Sequence, residues 1–143
     1  MKRLLSLLML GCLSYGAMAQ AGSLQVRNNS TTCWAHYFVM GGPNCGIAAF
    51  GAVLSIPPAT TINYPNPAAA GLSTPFIVGA GINNKSAACS GFAVGRVGEP
   101  CTGMLLTNPP YASFTNNCAP CGNLTPTWIP APGVGGPARL IFN

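Results

Sequence analysis

Acidic side chains are almost absent from this sequence of 143 residues, which holds one glutamate, Glu99, and no aspartate. His36 is its single histidine. General acid–base catalysis, hydrolysis by a carboxylate pair and carboxylate-rich metal sites each require several such groups held close together. The composition therefore favours a non-catalytic protein without a cofactor or a bound metal ion. Neither Glu99 nor His36 is expected to form a site.

Basic residues are also few, and two of the six lie at positions 2 and 3. The others are scattered over the rest of the chain, at Arg27, Lys85, Arg96 and Arg139. With Glu99 they leave residues 20–143 with a formal charge of 4 − 1 = +3. Four dispersed cations do not make a track along a phosphate backbone, so nucleic acid is not an expected partner.

The first nineteen residues have the three parts of a secretory signal peptide. Two basic residues precede an apolar run at 4–13, and a small-x-small cleavage motif follows at 17–19. The run is too short to anchor the chain in a bilayer, so no transmembrane segment is expected after cleavage. We therefore predict that residues 20–143 form one domain, secreted, periplasmic or at the cell surface of a bacterium. Acylation of Cys12, as in a lipoprotein, is the alternative.

Six cysteines remain after residue 19, and an even number in an exported chain predicts three disulfides. The cysteines are Cys33, Cys45, Cys89, Cys101, Cys118 and Cys121. Six cysteines allow about fifteen pairings. Sequence spacing favours Cys33–Cys45 and Cys89–Cys101, each closing a loop of about a dozen residues. Cys118 and Cys121 then pair with each other.

Two segments, 28–45 and 84–101, resemble each other without a gap. The matching pairs are Asn28 and Asn84, Ser30 and Ser86, Cys33 and Cys89, Gly42 and Gly98, and Cys45 and Cys101. This similarity predicts an internal repeat of a cysteine hairpin, a strand–turn–strand unit whose two cysteines face each other across the turn. Chance similarity in a sequence rich in asparagine, glycine and cysteine is the alternative.

Proline or glycine interrupts the chain every several residues, which excludes long helices. Short strands at this spacing predict an all-β fold, a disulfide-stapled antiparallel β-sandwich or a small barrel. The longest apolar run, 46–56, is predicted to be a buried strand. The predicted strands are 24–27, 34–40, 48–56, 60–64, 76–82, 92–97, 104–106, 113–115, 127–129 and 139–142.

The Cys118-Ala-Pro-Cys121 turn resembles the Cys-x-x-Cys redox centre of thioredoxin-like oxidoreductases over four residues. The resemblance implies a thiol–disulfide oxidoreductase, in which a helix N-terminus after the motif lowers the pKa of the first thiol. Residues 123–126, Asn-Leu-Thr-Pro, do not predict such a helix. A structural disulfide is therefore the favoured interpretation, and a zinc site lacks the further ligands it needs.

Amphipathic aromatic residues, with asparagines in the turns, are the remaining candidates for recognition. The aromatic candidates are Trp34, Tyr37, Tyr64, Tyr111 and Trp128. Rings beside amides suit a neutral polar ligand such as a sugar, although aromatic residues also fill β-cores. We expect a secreted or cell-surface binding or adhesion module for an extracellular ligand. The alternative is a structural subunit that self-assembles through strand edges, with the last strand, 139–142, available for exchange.

Overall fold

The computed structural model describes residues 20–85, 89–106 and 110–143, which form eleven β-strands and, among those residues, no α-helix. The predicted signal peptide and Ser86 lie outside these ranges. The all-β prediction is confirmed. The strands are β1 Ser23–Asn28, β2 Ala35–Gly41, β3 Ala49–Phe50, β4 Leu54–Ile56, β5 Thr61–Tyr64, β6 Ile77–Asn83, β7 Ala93–Gly98, β8 Tyr111–Phe114, β9 Pro120–Leu124, β10 Pro126–Ile129 and β11 Pro137–Phe142.

The strands form two larger sheets and a separate hairpin. Sheet A has the order β3-β2-β6-β7, with β4 also paired to β2, and sheet B has the order β10-β11-β1-β5. Strands β8 and β9 pair with each other. All pairs are antiparallel except β1 and β11, which run parallel. This arrangement agrees with the predicted sandwich of antiparallel sheets.

Alternating side chains explain how the two sheets form one core. In β11 the residues Ala138, Leu140 and Phe142 are fully buried, while those between them face outward. Sheet A contributes Tyr37 from β2, and its ring centroid lies 5.8 Å from that of Phe142. Because side chains alternate between the faces of a strand, this contact packs the inner face of one sheet on that of the other.

The apolar run at 46–56 is not a buried strand, so that prediction is wrong. Gly51 interrupts the run, leaving the two short strands β3 and β4, which pair only with β2. Ile47 is 36% exposed and Phe50 is 58% exposed, and only Ile56 of the run is fully buried. The run lies along one edge of sheet A, where Ala49 and Leu54 are partly buried against the core and Ile56 belongs to it.

Two further differences concern residues 100–124. Residues 104–106 form no strand, because the chain turns at Pro100–Thr102 and Gly103 adopts a left-handed φ of 69°. Strand β9 was not predicted, since it begins with a proline and contains a glycine, both poor strand formers. Proline is tolerated there because β9 pairs on one side only, with β8.

All six cysteines form disulfides, but the predicted pairings are wrong. The bonds are Cys33–Cys121, Cys45–Cys101 and Cys89–Cys118, with Cα atoms 5.5, 5.8 and 6.0 Å apart. Strand β2 runs between Cys33 and Cys45. Seven residues at about 3.3 Å each separate these two cysteines by roughly 23 Å, whereas a disulfide spans about 7 Å at most. Strand β7 separates Cys89 and Cys101 in the same way.

The two segments of the predicted repeat do not share a topology. Strand β1 belongs to sheet B and β2 to sheet A, whereas β6 and β7 are neighbours within sheet A. The common cysteine hairpin is therefore not formed. Instead, Cys45 and Cys101, which match in the alignment of the two segments, are bonded to each other.

Strand β11 is not an edge strand available for exchange. It lies between β10 and β1, and hydrogen-bonds to both. In the part of the chain that the structure describes, the strands with one neighbour are β3, β4 and β7 in sheet A and β5 and β10 in sheet B. Strand exchange between copies through residues 139–142 would therefore require β11 to leave the centre of sheet B.

Candidate binding surfaces

His36 is a packed residue of β2 and is fully buried. Its Nε2 lies 3.2 Å from the carbonyl oxygen of Phe114, which can only accept, so Nε2 carries the hydrogen and donates it. Its Nδ1 then accepts from the hydroxyl of Ser55 at 2.9 Å. Burial lowers the pKa of His36, and the hydrogen bond to Phe114 opposes this shift in part. The imidazole is therefore held neutral.

Glu99, the one acidic side chain, is also fully buried. Its Oε1 accepts a hydrogen bond of 3.0 Å from the backbone N–H of Ala131. Its Oε2 and the indole Nε1 of the neighbouring Trp128 have no hydrogen-bond partner. Burial raises the pKa of Glu99, and the hydrogen bond from the backbone N–H of Ala131 opposes this shift in part. The surface formed by the described residues consequently carries no acidic side chain.

The five aromatic candidates for sugar binding do not form an exposed platform. Tyr37 and Trp128 are buried in the core, with 0% and 2% of their surface exposed, so neither offers a ring face to a ligand. The hydroxyl groups of Tyr37 and Tyr64 lie 2.8 Å apart and bond to each other. Tyr111 packs against the core, and Trp34 is half-buried. Burial therefore excludes Tyr37 and Trp128 from a stacking site, whereas a binding role for Trp34, Tyr64 and Tyr111 stays a prediction.

The Cys118–Cys121 turn does not have the arrangement of a dithiol redox centre. Cys118 is bonded to Cys89, and Cys121 is bonded to Cys33. Strand β9 begins at Pro120, inside the motif, so a strand and not a helix follows it. The thioredoxin-like mechanism requires a disulfide between the two cysteines of the motif. Here each cysteine instead ties the β8–β9 hairpin to a different part of the chain.

The outer face of sheet A carries exposed apolar side chains. Phe38 and Phe50 lie in edge-to-face contact with ring centroids 6.0 Å apart, and the guanidinium of Arg96 lies 5.9 Å from the ring centroid of Phe50. Val94 lies two residues before Arg96 in β7, at the register shift in the pairing of β7 with β6. Phe50 is 58% exposed and Val94 is 45% exposed. We call Phe38, Phe50, Val94 and Arg96 the apolar face.

Gly81 leaves room for the Phe38 ring of the apolar face to lie on the sheet. Gly81 is paired with Phe38 on one side and with Arg96 on the other. A Cβ atom at Gly81 would overlap the Phe38 ring. The ring therefore lies directly over the backbone of β6, which holds it in place as part of the surface.

The outer face of sheet B has a different chemistry, which we call the polar face. Its side chains fall into two rows across the four strands, because residues paired in register point to the same side. The amide of Gln25 donates to Asn63 Oδ1 at 3.0 Å. One row is Ile129, Arg139, Gln25 and Asn63, and the other is Thr127, Ile141, Arg27 and Thr61.

The sequence alone did not predict the apolar face or the polar face, although the outward direction of two arginines could be read from it. Alternation around Val26 and Leu140 predicts that Arg27 and Arg139 point outward. The pairing of β1 with β11 brings these two arginines onto one surface, and no local pattern contains that pairing. The apolar face was missed because residues 46–56 were assigned to the core.

Comparisons with protein-family models, with curated proteins and with solved structures find no match to this chain. None of the residues placed in the structure forms a helix long and apolar enough to cross a membrane. Within the same part of the chain, no three histidine, cysteine or acidic side chains come together as metal ligands. The fold and its surfaces therefore define the class, a β-sandwich with three intramolecular disulfides, which are typical of oxidising compartments.

Proposed function

We propose that this protein is an exported, non-catalytic binding or adhesion module that contacts an apolar partner surface through the apolar face. The supporting observation is the exposure of Phe50 and Val94 on a sheet that the disulfides and the core hold rigid. Exposed aromatic and aliphatic side chains gain free energy when a partner removes them from water. The guanidinium of Arg96 lies 5.9 Å from the centroid of the Phe50 ring, a cation–π contact within the face.

Rigidity supports this function because few side chains need to be ordered on contact. Phe38 lies directly over Gly81, and Phe50 packs against Phe38. The entropy cost of binding falls when the contacting groups already occupy their bound positions. Phe92, which is 80% exposed and directly precedes β7, extends the exposed apolar surface along the chain.

Adhesion to an apolar surface tests the proposal. We expect the oxidised mature protein, residues 20–143, to bind octyl-coated beads more strongly than hydroxyl-coated beads. The double variant Phe50→Ser, Val94→Thr should bind the octyl beads about tenfold more weakly, since it removes one large and one small apolar contact. Val134→Thr is the matched control, because Val134 is 58% exposed but lies outside the apolar face. An equal loss in the control variant would refute the assignment.

A structural subunit that assembles through strand edges is the second candidate. The observation in its favour is that β7 pairs only with β6, so β7 forms one edge of sheet A beside the apolar face. A strand from another copy would extend the sheet there. Size-exclusion chromatography and negative-stain imaging at high concentration separate the two candidates. A sharp monomer excludes the assembly, and filaments that Val94→Pro abolishes would support it.

A further inference from the structure

We infer that the polar face of sheet B is a docking surface for an acidic polysaccharide. This face lies on the opposite side of the sandwich from the apolar face, because the inner faces of the two sheets pack together through Tyr37 and Phe142. It is therefore a second surface, and its test does not depend on the function proposed for the apolar face.

Two exposed arginines give the polar face its charge. Arg139 is paired across the sheet with Gln25, and Arg27 is paired with Ile141, two residues further along β11. The Cα atoms of the two arginines are therefore roughly 8 Å apart, one strand across and two residues along. Both side chains point to solvent on the same side of the sheet.

These arginines have no acidic side chain nearby to neutralise them. Glu99 is the only carboxylate side chain in the sequence, and it is buried beside Ala131. The charge of the polar face is therefore complementary only to an anion on another molecule. A second copy of this chain supplies no such group from its side chains, so self-association does not account for the surface.

Uncharged hydrogen-bonding groups indicate which kind of anionic partner fits. Gln25, Asn63, Thr61 and Thr127 stand in the same two rows as the arginines, which gives four amides and hydroxyls to two cations. An acidic polysaccharide presents this mixture, with carboxylates separated by many hydroxyls. A nucleic acid would require a denser row of cations, and an anionic membrane would require a cluster of basic residues.

The shape of the surface agrees with an extended ligand. Four strands about 4.8 Å apart give a width of roughly 14 Å, so a polymer chain can lie across β10, β11, β1 and β5. Along such a path, the guanidinium groups bind carboxylates in pairs of hydrogen bonds, and the amides and hydroxyls bind the hydroxyls of the sugar rings.

Binding of polygalacturonate to the oxidised mature protein tests the inference, with fully methyl-esterified polygalacturonate as the matched neutral ligand. We expect Arg27→Gln and Arg139→Gln each to weaken binding about fivefold, since each removes one exposed charged contact. Arg96→Gln is the control variant, because it removes the same charge from an exposed arginine of the apolar face. It should change affinity less than twofold. Gln25→Ala should also weaken binding, which an effect of net charge alone would not produce.

Several outcomes would overturn the inference. An equal loss in Arg96→Gln would mean that net charge and not the polar face is responsible. Equal binding of the methyl-esterified polymer would exclude recognition of the acid groups. Binding of poly-glutamate, an oligo-dT strand or phosphatidylserine vesicles as tightly as polygalacturonate would point to another class of partner. Absence of any binding to polygalacturonate at low ionic strength would exclude it directly.

Discussion

Folding stability between pH 4.5 and 6.5 is expected to depend on two buried side chains that act in opposite directions. Glu99 and His36 have ordinary pKa values of 4.5 and 6.5, and they are the only acidic and imidazole side chains of the sequence. Burial raises the pKa of Glu99 and lowers that of His36. The native state therefore binds the Glu99 proton more tightly than the unfolded chain does, so Glu99 makes stability fall as pH rises above 4.5. Below pH 6.5 the unfolded chain binds a proton at His36 more tightly than the native state does, so His36 makes stability rise with pH.

The size of each effect follows from proton linkage. A difference of one bound proton changes the free energy of unfolding by about 1.4 kcal/mol per pH unit. The two slopes have opposite signs and offset each other in part, so the stability of the native protein should depend on pH less than that of a variant that lacks either group. Glu99→Gln removes one of them and keeps an oxygen that accepts from Ala131. The free energy of unfolding of the Glu99→Gln variant should then rise by at most about 2.7 kcal/mol between pH 4.5 and 6.5. This upper bound corresponds to one proton, bound by His36 in the unfolded chain and not in the native state.

Urea unfolding at half-unit steps of pH, with the disulfides intact, measures these slopes. At neutral pH, Glu99→Gln should be more stable than the native protein, because it no longer carries the cost of the buried carboxyl. His36→Asn serves as the reciprocal variant, and its stability should fall as pH rises from 4.5. A pH dependence in the native protein as steep as that in either variant, or a flat profile in Glu99→Gln, would refute the reasoning that these two groups oppose each other.

Two further predictions concern the disulfide Cys33–Cys121 and the glycine beneath the apolar face. The double variant Cys33→Ser, Cys121→Ser should lose about 4.6 kcal/mol of unfolding free energy, measured in urea, because that disulfide closes a loop with a sequence separation of 88. A loss below about 1 kcal/mol would contradict the pairing. Non-reducing peptide mapping checks the pairing directly. Gly81→Ala should lower stability by about 1–3 kcal/mol, since the new methyl group would displace the Phe38 ring. Gly133→Ala, at a position with open space around it, is the control and should change the melting temperature little.

The strands were predictable wherever a local period of two decides which side chains are buried. In β1, and in β11 apart from Ile141, apolar residues alternate with polar ones, and the predicted ranges 24–27 and 139–142 lie inside the observed strands. The run at 46–56 failed because apolar composition alone does not say whether a second element covers the strand. Phe50 is apolar and exposed because sheet A ends beside it.

The disulfide pairing could not be predicted because it depends on which strands become neighbours. A short loop such as 33–45 is economical only if the chain reverses between the two cysteines, and here it continues straight through β2. The same reason hides the polar face. Arg27 and Arg139 are 112 residues apart in sequence and become neighbours only through the parallel pairing of β1 with β11.

The two proposed surfaces together suit a protein that joins two different materials. The apolar face and the polar face are the outer faces of sheets whose inner faces pack on each other, so a partner on one side does not obstruct the other. The core between them contains the buried Glu99, which leaves cations as the charged side chains of the described surface. Simultaneous occupation would give linked binding, in which a partner held at one face raises the effective concentration at the other.

Octyl beads loaded with the protein should therefore capture polygalacturonate. Arg139→Gln should abolish that capture without releasing the protein from the beads, whereas the double variant Phe50→Ser, Val94→Thr should release it.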